Sequence, residues 1–191
     1  MKLVSAQNIS YSINGKKLFH NISFDLSAGE AIHIQGGNGS GKSALLRIIL
    51  GITSPSKGSV EYSNQDLEIT YLGHKNAIKN YLTPIQNLEL LFSDLKLTNA
   101  FKWMHKLGLT SVQDELSGNL SFGQQKKLAL IRVLSESPKM IVLDEPFVGI
   151  DHETSDLLNA FLLDKLSKGV GLIVTSHIQP KIECEVLDLE K

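Results

Sequence analysis

The sequence predicts an α/β fold with a parallel-sheet core, an antiparallel β layer near the N-terminus and a small helical subdomain. The opening through Gln35 alternates polar and apolar side chains between turn signals at Asn14-Gly15 and Ala28-Gly29-Glu30, as half-buried antiparallel strands do. The runs "KMIVLDEP" and "VGLIVTSH" are short and apolar, which is typical of strands buried on both faces of a parallel sheet. A mostly helical pattern fills residues 80–135.

The remaining elements follow in chain order. The run "SALLRIILG" predicts a short helix from Ser43 to Gly51, and "SPSKGSVEY" turns into a further strand. Thr83 is a capping residue followed by Pro84, so a helix begins there. We expect one face of this helix to carry its apolar positions, which are Ile85, Leu88, Leu91, Phe92 and Leu95.

A second predicted helix of this region runs from Thr98 to Gly108, and another, about 153–167, joins the two buried strands. The whole chain, 1–191, is predicted to be a single domain. Its α/β core is expected over about 1–75 and 136–191, with the helical subdomain over about 76–135.

Composition limits the partners and the compartment. Nineteen basic and twenty acidic residues give a net charge of -1, so no overall field attracts nucleic acid or anionic lipid, and we expect no nucleic-acid partner. A single cysteine, Cys184, excludes an internal disulfide and agrees with a reducing compartment, which favours the cytoplasm. No apolar run approaches the roughly 18 residues that span a bilayer.

A glycine-rich stretch, "GGNGSGKS", fits the phosphate-loop pattern G-x-x-x-x-G-K-[ST] between the strand "AIHIQ" and a helix. Its glycines let backbone N–H groups surround a β-phosphate, while the lysine adds a point charge and the serine offers a hydroxyl to Mg²⁺. The alternative is an ordinary glycine-rich turn that binds no ligand. The predicted nucleotide-binding residues are Gly36, Gly37, Asn38, Gly39, Ser40, Gly41, Lys42, Ser43 and Ala44.

Two carboxylates and a histidine end the predicted core strands. Asp144 and Glu145 follow "MIVL", and neighbouring residues on a strand point to opposite sides, so we expect separate roles for them: Mg²⁺ for Asp144 and polarisation of a water for Glu145. They can instead be a capping pair at a strand end. His177 ends the next strand, where an imidazole can donate to a γ-phosphate, although a lone histidine is usually structural.

The stretch "LSFGQ" forms a capping box, with Ser121 at the cap and Gln124 three positions later, and Gly123 allows close backbone approach. It can be simply a well-capped helix start. However, Ser121 lies 78 residues beyond Ser43, and one nucleotide needs no second cradle. The sequence therefore predicts that this helix start binds the nucleotide of a second copy of the chain.

The motifs together resemble those of the ATP-binding cassette (ABC) ATPases, which have a RecA-like P-loop core, and the resemblance covers nearly the whole chain. The resemblance implies that two copies close head to tail on ATP as a homodimer, each signature contacting the other copy's nucleotide. It gives adenine stacking to Tyr11, dimer contact to Asp151, and catalytic roles to Glu145 and His177, beside Asp144 on the magnesium side. The signature residues are Leu120, Ser121, Phe122, Gly123 and Gln124, with Phe122 in the place of a glycine.

Two further departures from the family pattern affect predicted ligands. Ala44 replaces a threonine beside the α-phosphate, which removes one hydroxyl. His74 stands where most relatives have a glutamine that contacts Mg²⁺. An imidazole is a poor magnesium ligand, which argues against a direct bond from His74 to the ion. A contact through a bridging water stays open. Tyr11 and His74 can also be an ordinary surface tyrosine and a solvated loop histidine.

A narrower resemblance is to the small ATPases of cytochrome c maturation, carried by "YLGH", Lys79, Leu82-Thr83, Asn87-Leu88 and "DEPF" with Asp151. It implies haem handling on the cytoplasmic face of the cell inner membrane with CcmB-like integral membrane subunits and no contact with the transported molecule. Partners would dock on residues 75–108, where Trp103 and Phe92 are either exposed or packed on the core. The alternatives are another small transporter, a soluble iron-sulfur-assembly ATPase, or a structural subunit without turnover, which Glu145 and His177 disfavour.

Overall fold

The structure is a computed structural model that describes residues 1–177 and 179–190. It has eight strands and five α-helices within those residues. The strands are β1 (Lys2–Ile13), β2 (Lys16–Ser27), β3 (Ala31–Gln35), β4 (Lys57–Tyr62), β5 (Ile69–Leu72), β6 (Met140–Asp144), β7 (Gly171–Thr175) and β8 (Glu185–Asp188). The helices are α1 (Lys42–Ile49), α2 (Pro84–Leu91), α3 (Asp94–Lys106), α4 (Phe122–Leu134) and α5 (His152–Ser167).

Five strands form a parallel sheet in the order β5-β6-β7-β3-β8. Strands β6 and β7 are buried along their whole length, as their uninterrupted apolar sequences predict. The carboxyl ends of parallel strands meet at one edge of the sheet. The segments after β5, β6, β7 and β3 therefore all open toward the same edge, where open α/β sheets place ligands.

An antiparallel sheet of order β2-β1-β4 covers one side of this core. The half-buried antiparallel layer predicted from the opening of the chain is confirmed, with one difference. The run that begins at Asn21 does not stay in one sheet, because the turn after Ser27 sends β3 into the parallel sheet beside β7. The uninterrupted burial of Ala31 to Ile34 fits that central place.

Alternate residues of the parallel strands enter two different cores. Val142 and Ile173 face a core shared with β1, β2 and α1, whereas Ile141 and Leu172 face a core built with α2 to α5. The side-chain period of two in a β-strand produces this division. The parallel sheet is thus the middle layer between the antiparallel sheet and the helices.

The helical region differs from its prediction at one junction. The predicted first helix reaches Leu95, but α2 ends at Leu91 and α3 starts at Asp94. As a result Leu95 is 87% exposed instead of facing the core. Phe92, at the break, is 6% exposed, so its packing on the core is confirmed.

Trp103 also packs inward. Its ring meets Phe161 of α5 edge to face, with ring centroids 5.9 Å apart. The exposed alternative is therefore wrong for Phe92, whereas Trp103 packs on the core with part of its surface still accessible. No helix in residues 1–177 and 179–190 is long and apolar enough to cross a membrane.

The side chain of Asn87 fixes the loop before α2 to the segment that leads into α4. Its Oδ1 accepts from the Lys79 N–H at 2.8 Å, and its Nδ2 donates to the Lys79 and Thr83 carbonyls and to Ser117 Oγ, at 3.1, 3.1 and 3.0 Å. Gln125 Nε2 in turn donates to the Ser117 carbonyl at 3.0 Å. A fully satisfied buried amide of this kind holds the start of α4 in one position.

Candidate nucleotide-binding site

The loop between β3 and α1 has the geometry of a phosphate cradle. Gly36, Gly39 and Gly41 all have positive φ, and α1 begins without a side-chain cap. Lys42 Nζ donates to the carbonyls of Gly36 and Gly37 at 2.7 and 3.1 Å, so its ammonium bridges the loop it belongs to. The N–H groups at the start of α1 are left for an anion.

Gly41 is fixed by its surroundings as well as by its φ of 102°. A Cβ atom at this position would lie 2.8 Å from Cδ1 of Phe19 and 3.1 Å from Cβ of Leu18. Residues of β2 therefore press against the loop, and only glycine fits there.

The carboxyl end of β6 supplies a buried carboxylate beside the loop. Asp144 Oδ2 accepts a hydrogen bond from Ser43 Oγ at 2.7 Å, and its Oδ1 accepts from Thr175 Oγ1 at 2.7 Å. Asp144 is 2% exposed. The phosphate-loop serine and the strand-end aspartate, predicted separately from the sequence, are therefore direct neighbours.

Glu145 lies on the same side as Asp144, and the expectation that the two point to opposite sides is wrong. The strand ends at Asp144, and Glu145 takes a left-handed conformation with φ 50°. Its N–H donates to the carbonyl and to Oγ1 of Thr175, at 3.0 and 3.1 Å, which holds this sparsely populated conformation. Both carboxylates consequently line the cleft.

His177 lies against the second carboxylate. Its backbone N–H donates to Glu145 Oε2 at 3.2 Å, and its Nε2 lies 3.4 Å from Glu145 Oε1. That Oε1 is buried and accepts no good hydrogen bond from the described residues. It is an available acceptor for a proton, beside an imidazole whose side chain is half exposed.

These groups surround a cleft of about 510 Å³ at the carboxyl edge of the sheet. His74 follows β5 and reaches the cleft as an exposed side chain. A larger cavity of about 620 Å³ lies at the opposite edge, near Arg132 and Pro138, but lacks the phosphate loop and the carboxylate pair. The cleft is lined by Leu18, Asn38, Gly39, Gly41, Lys42, Ser43, Ala44, His74, Asp144, Glu145, Val148 and His177.

Tyr11 does not line this cleft. Its ring stacks on Phe19 with centroids 6.1 Å apart, and Phe19 is the residue that presses on Gly41. Tyr11 is thus one side chain removed from the phosphate loop. Adenine stacking by Tyr11 stays a prediction.

The signature also lies outside the cleft of its own chain. Its predicted capping box is confirmed, since Ser121 Oγ accepts from the Gln124 N–H at 3.2 Å and Gln124 Oε1 accepts from the Ser121 N–H at 2.9 Å. The Ser121 hydroxyl hydrogen remains able to donate, and Phe122 is 59% exposed. This start of α4 is open toward solvent, where a second molecule can reach it.

Asp151 has two partners within its own chain. Its Oδ1 caps α5 by accepting from the Thr154 N–H at 2.8 Å, and its Oδ2 lies 2.6 Å from Lys127 Nζ. The lysine, followed by the helix cap, holds the pKa of the Asp151 carboxyl well below its usual range. This half-exposed carboxylate therefore links α4 to α5 within one chain.

Sequence reasoning missed four contributors, and one of them is Leu18, an apolar residue of β2 that lines the cleft. Thr175 joins Asp144 to Glu145, and its place one residue before "SH" at a strand end was the available signal. Val148 lines the cleft although nothing in its apolar side chain indicates a site. Lys127, the partner of Asp151, lies in α4, and the capping pattern at the start of that helix gives no reason to single it out.

The glycine loop before α1, the serine and aspartate joined at 2.7 Å, and the buried glutamate beside them define a P-loop nucleotide-binding protein. Residues 19–148 match the family model described as ABC transporter. The chain therefore belongs to the ABC transporter ATP-binding family, and its chemistry is ATP hydrolysis.

Named relatives support this family. The chain is 36% identical over 186 residues to the cytochrome c biogenesis ATP-binding export protein CcmA of Idiomarina loihiensis, covering 92% of this chain and 85% of the relative. It is 32% identical to CcmA of Dechloromonas aromatica, covering 94% and 95%. The narrower resemblance read from "YLGH" and its neighbours agrees with these relatives.

Solved structures agree with the fold. An ATP-binding subunit of an ABC transporter superposes with a TM-score of 0.86 at 20% identity, covering 98% of this chain and 85% of that one. A nucleotide-free ATP-binding cassette from an ABC transporter gives a TM-score of 0.72 at 26% identity, covering 93% and 82%. The predicted fold class, a P-loop core with an antiparallel β layer and helices, is confirmed.

Proposed function

We propose that the chain is the ATP-hydrolysing subunit of a membrane complex that handles haem during the biogenesis of c-type cytochromes. The observation that supports this most is the likeness to CcmA over more than nine-tenths of the chain, combined with an assembled hydrolytic cleft. Hydrolysis drives the partner subunits, and this chain itself does not touch the handled molecule.

The cleft residues divide the work of hydrolysis. Lys42 leaves the carbonyls of Gly36 and Gly37 when a triphosphate enters, and its ammonium then neutralises the β- and γ-phosphates. Glu145 accepts the proton of the attacking water on its unpaired oxygen, Oε1. His177, 3.4 Å from that oxygen, donates to the γ-phosphate and orients the water.

The residues present also fit Mg²⁺. Ser43 Oγ and Asp144 Oδ2 are hard oxygen donors already 2.7 Å apart, and they would hold the ion between them. When bound, Mg²⁺ supplies neutralisation of the charge that develops between the β- and γ-phosphates. The His74 imidazole suits this ion poorly, so a contact from His74 to the ion would run through a water.

Two copies close head to tail on ATP. Ser121 donates its hydroxyl hydrogen to the other copy's γ-phosphate, and the N–H groups at the start of α4 add positive partial charge. The exposed position of Phe122 and of the whole helix start supports this arrangement. Asp151 lies beside the same surface, and Tyr11 stacks on the adenine of its own copy.

Membrane partners dock on the helical region. With Phe92 and Trp103 packed inward, a different set of apolar side chains is exposed there, at 50 to 87% of their surface. Four exposed apolar side chains within fifteen residues of sequence favour a protein partner over water. They are Tyr81, Leu90, Leu91 and Leu95. We therefore propose that the chain works on the cytoplasmic face of the inner membrane, bound to CcmB-like integral subunits, as its likeness to CcmA supports.

The test uses Glu145→Gln, which keeps the shape of the side chain but removes the proton acceptor. We expect light scattering after gel filtration to give a dimer with ATP and Mg²⁺ and a monomer with ADP. A variant that stays monomeric at saturating ATP contradicts the head-to-tail dimer. Detergent extraction of native membranes with the tagged chain should co-purify a haem-binding membrane complex, and recovery of a soluble scaffold instead contradicts the haem role.

A further inference from the structure

His33 is a polar side chain in the middle of the parallel sheet. It lies on β3, is 2% exposed, and is paired in register with Val174 of β7. Ala31, two residues earlier on the same face of β3, and Val174 both belong to the core shared with the helices. An imidazole buried among apolar side chains costs free energy unless its nitrogens are hydrogen-bonded. The partners of this ring therefore indicate why it is there.

Both ring nitrogens have a partner, and the partners define which nitrogen carries the hydrogen. Nε2 lies 2.9 Å from the carbonyl oxygen of Ser176, which can only accept, so Nε2 donates. Nδ1 lies 3.2 Å from Gln35 Nε2, an amide nitrogen that can only donate, so Nδ1 accepts. His33 is thus an imidazole with its one hydrogen on Nε2, and that hydrogen is directed at Ser176.

The Ser176 carbonyl and the His177 N–H belong to the same peptide unit. This unit is planar and trans, so its C=O and its N–H point in opposite directions. The carbonyl accepts from His33, and the N–H donates to Glu145 Oε2 at 3.2 Å. A continuous series of hydrogen bonds therefore runs from the middle of β3, through one peptide unit, to the carboxylate in the cleft.

The bond to Oε2 determines which oxygen of Glu145 is left for the attacking water. Because Oε2 accepts from the peptide, Oε1 is the oxygen that has no good hydrogen bond from the described residues. A rotation of the peptide unit would release Oε2 and would also turn the backbone of His177. The bond from His33 opposes this rotation, and an accepting carbonyl makes the N–H of the same unit a stronger donor.

We propose that His33 is a positioning residue for ATP hydrolysis, which holds the peptide unit between Ser176 and His177 and thereby orients the Glu145 carboxylate. His33 does not line the cleft, so it acts on the water only through Glu145 and His177. The inference rests on the proton-accepting role proposed for Glu145. A buried histidine without this role would affect the stability of the fold but not the chemical step.

The first test compares two substitutions at this position. His33→Gln keeps a side-chain N–H that can reach the Ser176 carbonyl, whereas His33→Leu fills the space but cannot donate. We expect His33→Leu to lower the kcat of ATP hydrolysis about tenfold, the effect of one hydrogen bond, with KM within about twofold of the wild type. His33→Gln should keep kcat within about threefold, because the bond to the carbonyl is retained.

Two controls separate positioning from general loosening. Ser5→Ala removes another buried side-chain hydrogen bond, of 2.6 Å to Asp25 in the antiparallel sheet. It should lower the unfolding free energy measured in urea without changing kcat. In a Glu145→Ala background, which lacks both carboxylate oxygens, His33→Leu should change the residual rate by less than about twofold. A merely structural histidine would lower the rate by the same factor in both backgrounds.

A spectroscopic measurement on the wild-type chain tests the geometry even if His33→Leu does not fold. Nitrogen-15 NMR of the imidazole rings should show the His33 hydrogen on Nε2, and the His33 signals are assigned by their absence from the spectrum of His33→Gln. A ring that carries its hydrogen on Nδ1 alone cannot donate to the Ser176 carbonyl and overturns the inference.

Two kinetic outcomes also overturn it. If His33→Leu folds and keeps the wild-type kcat, or if His33→Gln loses as much rate as His33→Leu, the contact with Ser176 does not position Glu145. The proposed ATPase function still stands in both cases, provided that Glu145→Gln has lost phosphate release. If Glu145→Gln instead hydrolyses ATP as the wild type does, the proposed role of Glu145 fails and the inference fails with it.

Discussion

The starts of α1 and α4 carry the two anion-binding patterns predicted from the sequence, and they differ in how their free N–H groups are satisfied. At α1 the residue before the helix is Gly41, which has no side chain to cap the helix, and the Lys42 ammonium bridges the loop carbonyls. At α4 the N–H of Gln124 already donates a hydrogen bond to Ser121 Oγ of the same chain. One helix start is a cradle that requires an external anion, whereas the other is complete alone and offers one further donor.

This difference explains why one protein needs both. A deep cradle with a lysine binds a triphosphate strongly, because several N–H groups and a full positive charge act at one point. A capped helix start with a hydroxyl and a partial charge adds a modest increment to an anion that is already bound. In the proposed head-to-tail dimer, the first holds ATP in each subunit and the second contacts the ATP of the partner.

The largest expected effect comes from Lys42→Ala. The loss of the only side-chain ammonium seen to line the cleft within residues 1–177 and 179–190 should reduce ATP hydrolysis about 100-fold or more, as loss of a preorganised charge at a transition state does. Phosphate release measured at saturating ATP checks this. Lys168→Ala, a surface substitution, is the control, and a Lys42→Ala variant with more than half of the wild-type rate would show that α1 is not the cradle.

Gly41→Ala tests whether the α1 start is built for glycine. It combines an unfavourable φ of 102° with a Cβ atom 2.8 Å from the Phe19 ring. Gly169→Ala is a matched control, because Gly169 has φ 83° but nothing within 4 Å of its missing Cβ. Urea unfolding should show Gly41→Ala less stable than Gly169→Ala by about 1 to 3 kcal/mol, the range for overpacking. Equal losses in the two variants would mean that the contact with β2 is irrelevant.

Much of this site was predictable from sequence because it lies on strand ends and helix starts. Ser43 and Asp144 are 101 positions apart, yet a phosphate-loop pattern and a buried strand placed both at one edge. The direction of the Glu145 side chain was misjudged, since strand alternation assumes that Glu145 continues the strand. Its φ of 50° is held by two hydrogen bonds that its N–H donates to a threonine 30 residues away, and no local pattern reports such a contact.

The prediction of one continuous helix across the break between α2 and α3 failed for a related reason. Helical spacing placed Leu91, Phe92 and Leu95 on one stripe, but periodicity does not reveal where a helix ends when no proline or glycine marks it. Phe92 nevertheless reaches the core from an extended conformation. The burial of Phe92 was therefore predictable from its apolar side chain, whereas the path of the chain between the two helices was not.

Ser121→Ala tests the α4 start against an equivalent helix start elsewhere. Thr83 and Gln86 form the same capping box at α2, with hydrogen bonds of 3.2 and 3.0 Å. Ser121→Ala and Thr83→Ala should each lose about 1 kcal/mol of unfolding free energy. Only Ser121→Ala should also raise the ATP concentration needed for dimerisation of a Glu145→Gln background, by about tenfold, the effect of one charge-assisted hydrogen bond. If both variants dimerise alike, the Ser121 hydroxyl is a cap and nothing more.

The start of α5 is a third case, because its anion is supplied by the chain as Asp151. Lys127 and the Thr154 N–H hold the pKa of this carboxyl below its usual range, so the ionised form stabilises the fold above the unfolded pKa of about 3.9. The contribution declines as pH falls below that value, since the unfolded chain takes up the proton first. Asp151→Asn keeps the cap but does not titrate.

The difference in unfolding free energy between wild type and Asp151→Asn should therefore be present at pH 6 and shrink at pH 3. Because the side chain is 54% exposed, we expect it to stay below about 1 kcal/mol. Urea unfolding at both pH values measures it, and a difference that grows toward pH 3 would contradict the ion pair. The carboxylate of Asp151 thus stabilises the start of α5 at neutral pH without any ligand, whereas the start of α1 is stabilised only when a nucleotide binds.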